Sequence, residues 1–196
     1  YYSLKAFEDS AVDEIVLVVG KGEEKFCRKE IVDKYGISKV KAIVEGGKER
    51  YHSVFEGLKQ TSDADYVLIH DGARPFVNQD IIRRCMQEVQ KYQACVVGMP
   101  VKDTIKIADE EGYAKQTPDR KNVWMIQTPQ TFSYALIYEA YEEMLKTEDT
   151  AITDDAMVLE RIKGKKSKLI EGSYRNIKIT TPEDLLIANV YLQHPE

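Results

Sequence analysis

Short apolar segments alternate repeatedly with amphipathic ones along this chain, and this alternation limits the possible folds more than any other feature. Apolar, strand-like runs occupy residues 14–20, 41–44, 66–69 and 94–99, and helical patterns cover residues 23–35, 49–60 and 79–92 between them. The run IVLVV at residues 15–19 is continuously apolar, as strands are when helices cover both faces of a parallel sheet. The alternation therefore predicts an α/β fold with a doubly wound, mostly parallel sheet.

The alternation breaks after Pro100. Residues 101–123 mix polar and apolar positions around a Glu-Gly turn at 111–112, which predicts a two-stranded arm that leaves the main sheet. Because a lone hairpin is only marginally stable in water, we expect a second subunit to support this arm.

After the arm, helices are predicted over residues 134–145, 154–162 and 182–192, with a strand at 168–170 and an extended segment at 176–179. At 196 residues, the chain is read as a single domain spanning 1–196. Residues 1–10 read as the last turns of a helix, and we therefore expect a segment upstream of them.

Composition excludes several classes of protein. The net charge of -5 argues against a nucleic-acid-binding face, which would have to be basic. No apolar run approaches the roughly 20 residues that cross a bilayer, and the first residues, YYSLKAF, do not form a secretory signal. Cys27, Cys85 and Cys95 show no C-x-x-C spacing, which predicts reduced thiols and a cytoplasmic location.

The strongest candidate for a site is the stretch DYVLIHDGARPF at residues 65–76. It places Asp71 and Arg74 just beyond the carboxyl end of a predicted buried strand, where ligands bind in open α/β sheets. An aspartate there could hold a divalent cation through its oxygens, and an arginine could bind phosphate. The alternative is an aspartate that caps a turn and pairs with the arginine at the surface.

A second candidate is the loop that begins with Gly46 and Gly47, between a predicted strand and a predicted helix. Glycines allow backbone N–H groups to approach a ligand, and a helix N-terminus favours anions. Lys48 belongs to this loop, and Ser53 lies one turn into the helix. The alternative is a tight strand-to-helix connection without a ligand.

Further polar residues fall in segments expected at the same edge of the sheet, where the strands end; we call this edge the rim. Thr104 follows the 94–99 strand, and Lys178 is a cation in a segment that returns to the sheet, which suggests a phosphate ligand. Thr128 is expected in a turn at residues 127–132, because Pro129 follows it. Thr153 could equally serve as the N-cap of the next helix, and Arg120 on the arm could be a solvated charge.

These residues favour chemistry by positioning and charge neutralisation. The three histidines are scattered, and no serine or cysteine lies in a recognisable nucleophile elbow, which disfavours a hydrolase triad. A rim of lysine, arginine, threonine and glycine around one aspartate suits phosphoryl or nucleotidyl transfer.

Six motifs, taken in order, carry a resemblance to a known family. They are GGKERYHSV, VLIHDGARPF, PVKDTIK, QTPQTF, ITDDA and NIKITTPEDL. Together they resemble the 2-C-methyl-D-erythritol 4-phosphate cytidylyltransferases of the non-mevalonate isoprenoid pathway. The resemblance covers nearly the whole chain and implies a Rossmann-like nucleotidyltransferase fold with a protruding β-arm that interlocks two subunits of a homodimer.

The resemblance also implies transfer of CMP from CTP to methylerythritol phosphate with Mg²⁺, and it implies a role for each matching residue. Asp71 matches the metal ligand, and Gly72 stands where the family often has alanine. Catalytic roles are implied for Asp71, Lys178 and Arg120, with Arg120 serving the partner's site. CTP contacts are implied for Gly46, Gly47, Lys48, Ser53, Asp71 and Gly72. Substrate contacts are implied for Arg74, Thr104, Arg120, Thr128, Thr153 and Lys178.

One departure leaves alternatives open. The family begins with a strand and a glycine-rich loop that wraps the triphosphate, and the sequence at YYSLKAF resembles the segment immediately after that loop. We therefore expect an amino-terminal segment and a central strand in addition to these residues. A ribitol-5-phosphate cytidylyltransferase shares part of the motif set, although KDTIK and ITDDA favour the methylerythritol enzyme. A catalytically inactive relative that only binds nucleotide is the third alternative.

Overall fold

The computed structural model describes residues 1–147 and 151–194 as alternating strands and helices. The strands are β1 (Ile15–Val19), β2 (Val40–Glu45), β3 (Tyr66–Ile69), β4 (Ala94–Pro100), β5 (Ile107–Ala108), β6 (Ala114–Gln116), β7 (Trp124–Ser133) and β8 (Lys168–Glu171). The helices are α1 (Tyr2–Glu8), α2 (Glu24–Cys27), α3 (Arg50–Leu58), α4 (Gln79–Tyr92), α5 (Tyr134–Met144), α6 (Asp155–Lys163) and α7 (Pro182–Gln193). The predicted α/β class is confirmed.

The main sheet has the strand order β3-β7-β4-β8, and β1 pairs in parallel with β2 in a separate sheet. Strand β7 runs antiparallel to both β3 and β4, whereas β8 is parallel to β4. Strands β3, β4 and β8 therefore share one direction, and β7 opposes them. The sheet is mixed because of this single reversed strand.

The turn predicted at residues 127–132 was wrong, since these residues lie inside β7. Proline lacks an N–H and is tolerated in a sheet where the ladder is interrupted. Pro129, which follows a cis peptide bond, lies in such an interruption, because the β4 pairing shifts between Val96 and Gly98. The proline therefore marks an irregularity within a buried strand.

Both faces of β4 are covered, as its continuously apolar sequence predicts. Ala94 and Val96 pack into a cluster with α5 and α6, whereas Cys95 and Val97 pack into a second cluster with α4. The alternation follows the two-residue period of a strand. Strand β4 thus joins two hydrophobic layers and fixes the rim formed by the strand ends.

A cavity of about 1090 Å³ separates the two sheets, and residues of β1 and β3 both line it. Within the described residues, β1 pairs only with β2 and β3 only with β7. A further strand between β1 and β3 would join the two sheets. The additional amino-terminal strand stays a prediction.

Helix starts follow local capping rules, with one correction. The predicted capping box is confirmed in α7, where the Thr181 N–H donates to Asp184 Oδ2 over 2.9 Å. In α6 the N-cap is Asp154, which accepts from the Met157 N–H over 2.8 Å. The suggested capping role of Thr153 was therefore wrong, because the adjacent carboxylate occupies that position.

The helix predicted over residues 23–35 is shorter and less regular than expected. Helix α2 continues into a π-helical segment, Arg28–Asp33. The arm, residues 101–123, contains the antiparallel pair β5–β6, whose residues are all exposed. Each helix in the described part of the chain is too short or too polar to cross a membrane.

Candidate active site

Asp71, just past the end of β3, is the centre of the polar rim. One carboxylate oxygen, Oδ1, lies 3.1 Å from Arg50 Nε, and the other, Oδ2, lies 3.1 Å from Lys178 Nζ. Arg74 Nε is 3.9 Å from Oδ2. Burial alone would raise the pKa of Asp71, but the charges of Arg50 and Lys178 lower it below the usual range. Asp71 is therefore ionised near neutral pH and faces three cations.

Arg74 is held mainly by backbone carbonyl groups. Its Nη1 donates to the Asn176 carbonyl over 2.8 Å, and its Nη2 donates to the Ile126 carbonyl over 3.4 Å. Its side chain is only 12% exposed, and burial lowers its pKa. Arg74 thus ties β7 and the segment before α7 to the rim, and its predicted substrate contact stays a prediction.

Thr128 connects the Asp71 backbone to a neutral histidine. The Asp71 N–H donates to Thr128 Oγ1 over 3.1 Å, and Oγ1 lies 3.0 Å from His70 Nδ1. His70 Nε2 faces the Arg74 carbonyl at 3.1 Å and so carries the ring proton. Burial lowers the pKa of His70 to about 4, so Nδ1 accepts the Thr128 hydroxyl proton. Thr128 can therefore accept a further hydrogen bond from a substrate hydroxyl but has no proton left for a phosphate.

Gly46 and Gly47 are required by the close approach of α3. A Cβ on Gly46 would lie 2.6 Å from Ser53 Oγ, and one on Gly47 would lie 2.3 Å from His52 Cβ. The Ser53 hydroxyl in turn accepts from the Gly47 N–H over 3.1 Å. Ser53 thus braces the loop, and the two glycines and Lys48 line the large cavity, as does Ser53.

Sequence reasoning missed a polar network behind the rim. Arg50, the first residue of α3, donates from Nη1 and Nη2 to the two carboxylate oxygens of Asp155 over 2.9 and 2.8 Å. Asp155 is fully buried, and the Tyr141 hydroxyl donates to its Oδ1 over 2.5 Å. Asp154 alone caps α6, so a second acid at position 155 is not needed as a cap. This extra acid was the sequence feature that could have indicated the network.

A smaller cavity of about 240 Å³ adjoins Asp71 and contains most of the predicted substrate contacts. Its lining includes Arg74, Thr128, Thr153 and Lys178, together with Arg50, Asp71, Ile126, Gln127, Gln130 and Asp154. Arg50 and Asp71 also line the large cavity. These two residues therefore stand at the junction of the two cavities.

Two predicted site residues lie elsewhere. Among the described residues that line the two cavities, neither Thr104 nor Arg120 occurs. Both are on the arm, and Arg120 Nη1 donates to the Lys102 carbonyl over 2.7 Å. Within this chain, the arm therefore does not bring either residue to the two cavities.

The donor set fits Mg²⁺ carried in by phosphates better than a metal held by protein alone. Among the described residues, no group of three or more histidine, cysteine or acidic side chains could hold a metal. Mg²⁺ commonly binds one or two carboxylates together with substrate phosphates and water. Asp71, with a side chain 16% exposed at the junction of the two cavities, meets that requirement.

Known proteins closely resemble this chain. The chain is 53% identical over 195 residues to the 2-C-methyl-D-erythritol 4-phosphate cytidylyltransferase of Lachnospira eligens, covering 98% of this chain and 86% of that protein. It is 48% identical to the enzyme of the same name from Lachnoclostridium phytofermentans, covering 98% of this chain and 83% of that protein.

Solved structures agree with these relatives. A crystal structure of 4-diphosphocytidyl-2C-methyl-D-erythritol synthase from Anaerococcus prevotii superposes with a TM-score of 0.90 at 38% identity, covering 98% of this chain and 85% of that chain. The family model of 2-C-methyl-D-erythritol 4-phosphate cytidylyltransferase, IspD, matches residues 1–194. The chain therefore belongs to the 2-C-methyl-D-erythritol 4-phosphate cytidylyltransferase family.

Proposed function

We propose that this chain transfers CMP from CTP to 2-C-methyl-D-erythritol 4-phosphate and releases pyrophosphate, as a step in isoprenoid precursor synthesis. Family membership over residues 1–194 supports the reaction. The observation that carries the site assignment is the position of Asp71, among three cations at the junction of two cavities. The nucleotide is assigned to the part of the larger cavity lined by Gly46, Gly47, Lys48 and Asp71, and the polyol phosphate is assigned to the smaller cavity.

The reaction is an in-line displacement at the α-phosphorus of CTP. A substrate phosphate oxygen forms the new bond to this phosphorus as the bond to the bridging oxygen of the leaving pyrophosphate breaks. Lys178, which lies 3.1 Å from Asp71 at the smaller cavity, is placed to stabilise the charge that develops on the phosphates. Mg²⁺, held by Asp71 and the phosphates, supplies further charge neutralisation when bound.

The remaining residues divide between the two substrates. Gly46, Gly47, Lys48, Ser53 and Gly72 serve the CTP side, partly through backbone groups. Arg74, Thr128, Thr153 and Lys178 serve the methylerythritol phosphate side. The Lys178 side chain is 42% exposed, so its ammonium group can leave Asp71 and bind a phosphate oxygen instead. Asp71 still keeps its contact with Arg50 when Lys178 leaves.

The arm is assigned to a homodimer in which Arg120 and Thr104 reach the partner's substrate. Their absence from the described linings of both cavities supports this assignment. So does the exposure of the β5–β6 hairpin, in which Tyr113, directly before β6, is 70% exposed, because an isolated hairpin of this kind gains little stability alone.

The proposed reaction is tested on the complete protein with CTP, Mg²⁺ and either methylerythritol phosphate or ribitol 5-phosphate. We expect pyrophosphate release and a cytidyl diphosphate product with methylerythritol phosphate. Faster turnover of ribitol 5-phosphate would favour the ribitol enzyme, and no turnover of either would favour a nucleotide-binding relative. Omission of Mg²⁺ in the same assay tests the metal.

The shared site is tested by mixing two inactive variants, Asp71→Asn and Arg120→Ala. In a two-fold dimer, a hybrid of the two has one site with an intact Asp71 and an intact arginine from the partner, so random mixing should restore about a quarter of the native activity. Absence of recovery, with hybrids shown by differential tagging, would place Arg120 in its own subunit's site. The predicted cytoplasmic location is tested by cell fractionation.

A further inference from the structure

Arg50 joins two parts of the site that the motifs treat separately. It begins α3, directly after the loop of Gly46 and Gly47, and its side chain reaches α6 and the end of β3. All three of its donor nitrogens are engaged, Nη1 and Nη2 by Asp155 and Nε by Asp71. The guanidinium therefore has one orientation, set from behind by Asp155.

The residues that hold Arg50 on the side away from Asp71 are fully buried and hydrogen-bonded. Asp155 and Tyr141 are both 0% exposed, and Gln130 accepts the neighbouring Ala156 N–H over 2.9 Å. Burial and the charge of Asp155 raise the pKa of Tyr141 well above its usual value, so the phenol stays a donor. Burial alone would lower the pKa of Arg50, but the hydrogen bonds and charge of Asp155 raise it.

We propose that Arg50 is a positioning residue for the transfer reaction: Asp155 and Tyr141 lock its guanidinium, and the locked guanidinium holds Asp71 Oδ1 at the junction of the two cavities. This leaves Oδ2, shared with the more exposed Lys178, as the oxygen turned toward an incoming ligand. The inference rests on the proposed role of Asp71.

A lysine at position 50 would keep the charge but could not make the paired contact to Asp155 and the Nε contact to Asp71 together. The structural alternative is an ion pair that only joins α3 to α6. The two readings differ in whether the loss appears in turnover per folded molecule or in stability alone.

The test compares Arg50→Lys, Asp155→Asn and the double variant in the complete protein, with kcat and KM for both substrates and the midpoint of thermal unfolding. Since misplacement of a reacting group by about 1 Å can cost about 100-fold, we expect each single variant to lower kcat by roughly 10- to 100-fold. The loss should exceed any change in KM. The double variant should lose no more than about twofold beyond the worse single variant, because both act through one contact.

Val158→Ala is the matched control for destabilisation, because Val158 is fully buried in α6, the helix that Asp155 begins. It packs in the hydrophobic cluster between β4, α5 and α6. This variant should lower the unfolding midpoint and leave kcat per folded molecule intact. If Asp155→Asn behaves like Val158→Ala, or if the losses of Arg50→Lys and Asp155→Asn multiply, the inference is overturned. Should Asp155→Asn fail to fold, Arg50→Lys and Tyr141→Phe decide: native kcat in both overturns the inference.

Asp71→Asn separates the inference from the proposed function. If Asp71→Asn is inactive while Arg50→Lys and Asp155→Asn turn over normally, only the positioning role fails. If Asp71→Asn keeps native activity, the proposed role of Asp71 fails, and the positioning role fails with it.

Discussion

Replacement of Asp71 by asparagine should separate catalysis from folding. The variant keeps the shape of the side chain and one carbonyl oxygen that can accept from Arg50 Nε. It loses the negative charge that faces Arg50, Lys178 and Arg74 at 3.1, 3.1 and 3.9 Å. Among the described residues, Asp71 is the only carboxylate that lines both cavities. A site that holds a cation and phosphates would therefore lose the negative charge that binds the cation.

The expected cost in stability is modest. A hydrogen bond to a charged group contributes about 1.5–3 kcal/mol, but Lys178 is 42% exposed and can turn to water, which reduces this contribution. We therefore expect Asp71→Asn to destabilise the fold by about 1–2 kcal/mol. For a chain of this size that corresponds to roughly 2–8 °C in Tm.

The sign of the pH dependence follows from the lowered pKa of Asp71. Its stabilising contribution is present above the unfolded pKa of about 3.9 and is lost as the pH falls through the lower folded pKa. The difference in Tm between native protein and variant should therefore shrink as the pH is lowered below about 4.

Catalysis should suffer far more than stability. Loss of a group that stabilises transition-state charge commonly lowers kcat by about 100- to 1000-fold. Asp80→Asn is a matched control, since Asp80 is exposed and pairs with Arg83 on the surface of α4; it should keep native kcat. A variant at position 71 with native kcat would refute the reasoning, as would a loss of activity fully explained by unfolding at the assay temperature.

Other positions give sharper tests of individual contacts. A Cβ at Gly72 would meet nothing within 4 Å, so Gly72→Ala should keep activity and stabilise by about 0.4–1 kcal/mol in chemical denaturation. Gly172→Ala would place a Cβ 2.6 Å from the buried Val97 and should destabilise by about 1–3 kcal/mol in the same assay; equal stability of the two variants would contradict this. Burial lowers the pKa of His70 to about 4, so neutral His70 contributes its full share to folding stability above its unfolded pKa of about 6.5. This contribution is lost as the pH falls toward 4, by at most about 3 kcal/mol. His70→Gln should therefore make Tm less dependent on pH between about 6.5 and 4. Thr181→Ala removes the α7 capping box and should cost about 1 kcal/mol, with faster amide exchange confined to the first turn of α7.

Local sequence determined most of the elements and the position of the rim. Apolar runs such as IVLVV became strands, and Asp71 and Arg74 lie just beyond β3 as their spacing predicted. These features depend on side-chain periodicity and on residues a few positions apart, which one stretch of sequence contains. The capping box at Thr181 was predictable for the same reason.

Only the tertiary structure decided the partners of those residues. Arg50 and Asp155 are 105 positions apart. Their helices, α3 and α6, come together only in the folded protein, so no local sequence pattern predicts this contact. Strand β7 was misread because Pro129 usually ends a strand, whereas pairing with β3 and β4 on both sides holds it in the sheet. The Thr128 hydroxyl donates its proton to His70 of the neighbouring strand end, so only its acceptor capacity is left for the substrate contact, which stays a prediction. The sequence supplied the charged groups, and packing determined which of them are locked and which remain able to bind a ligand.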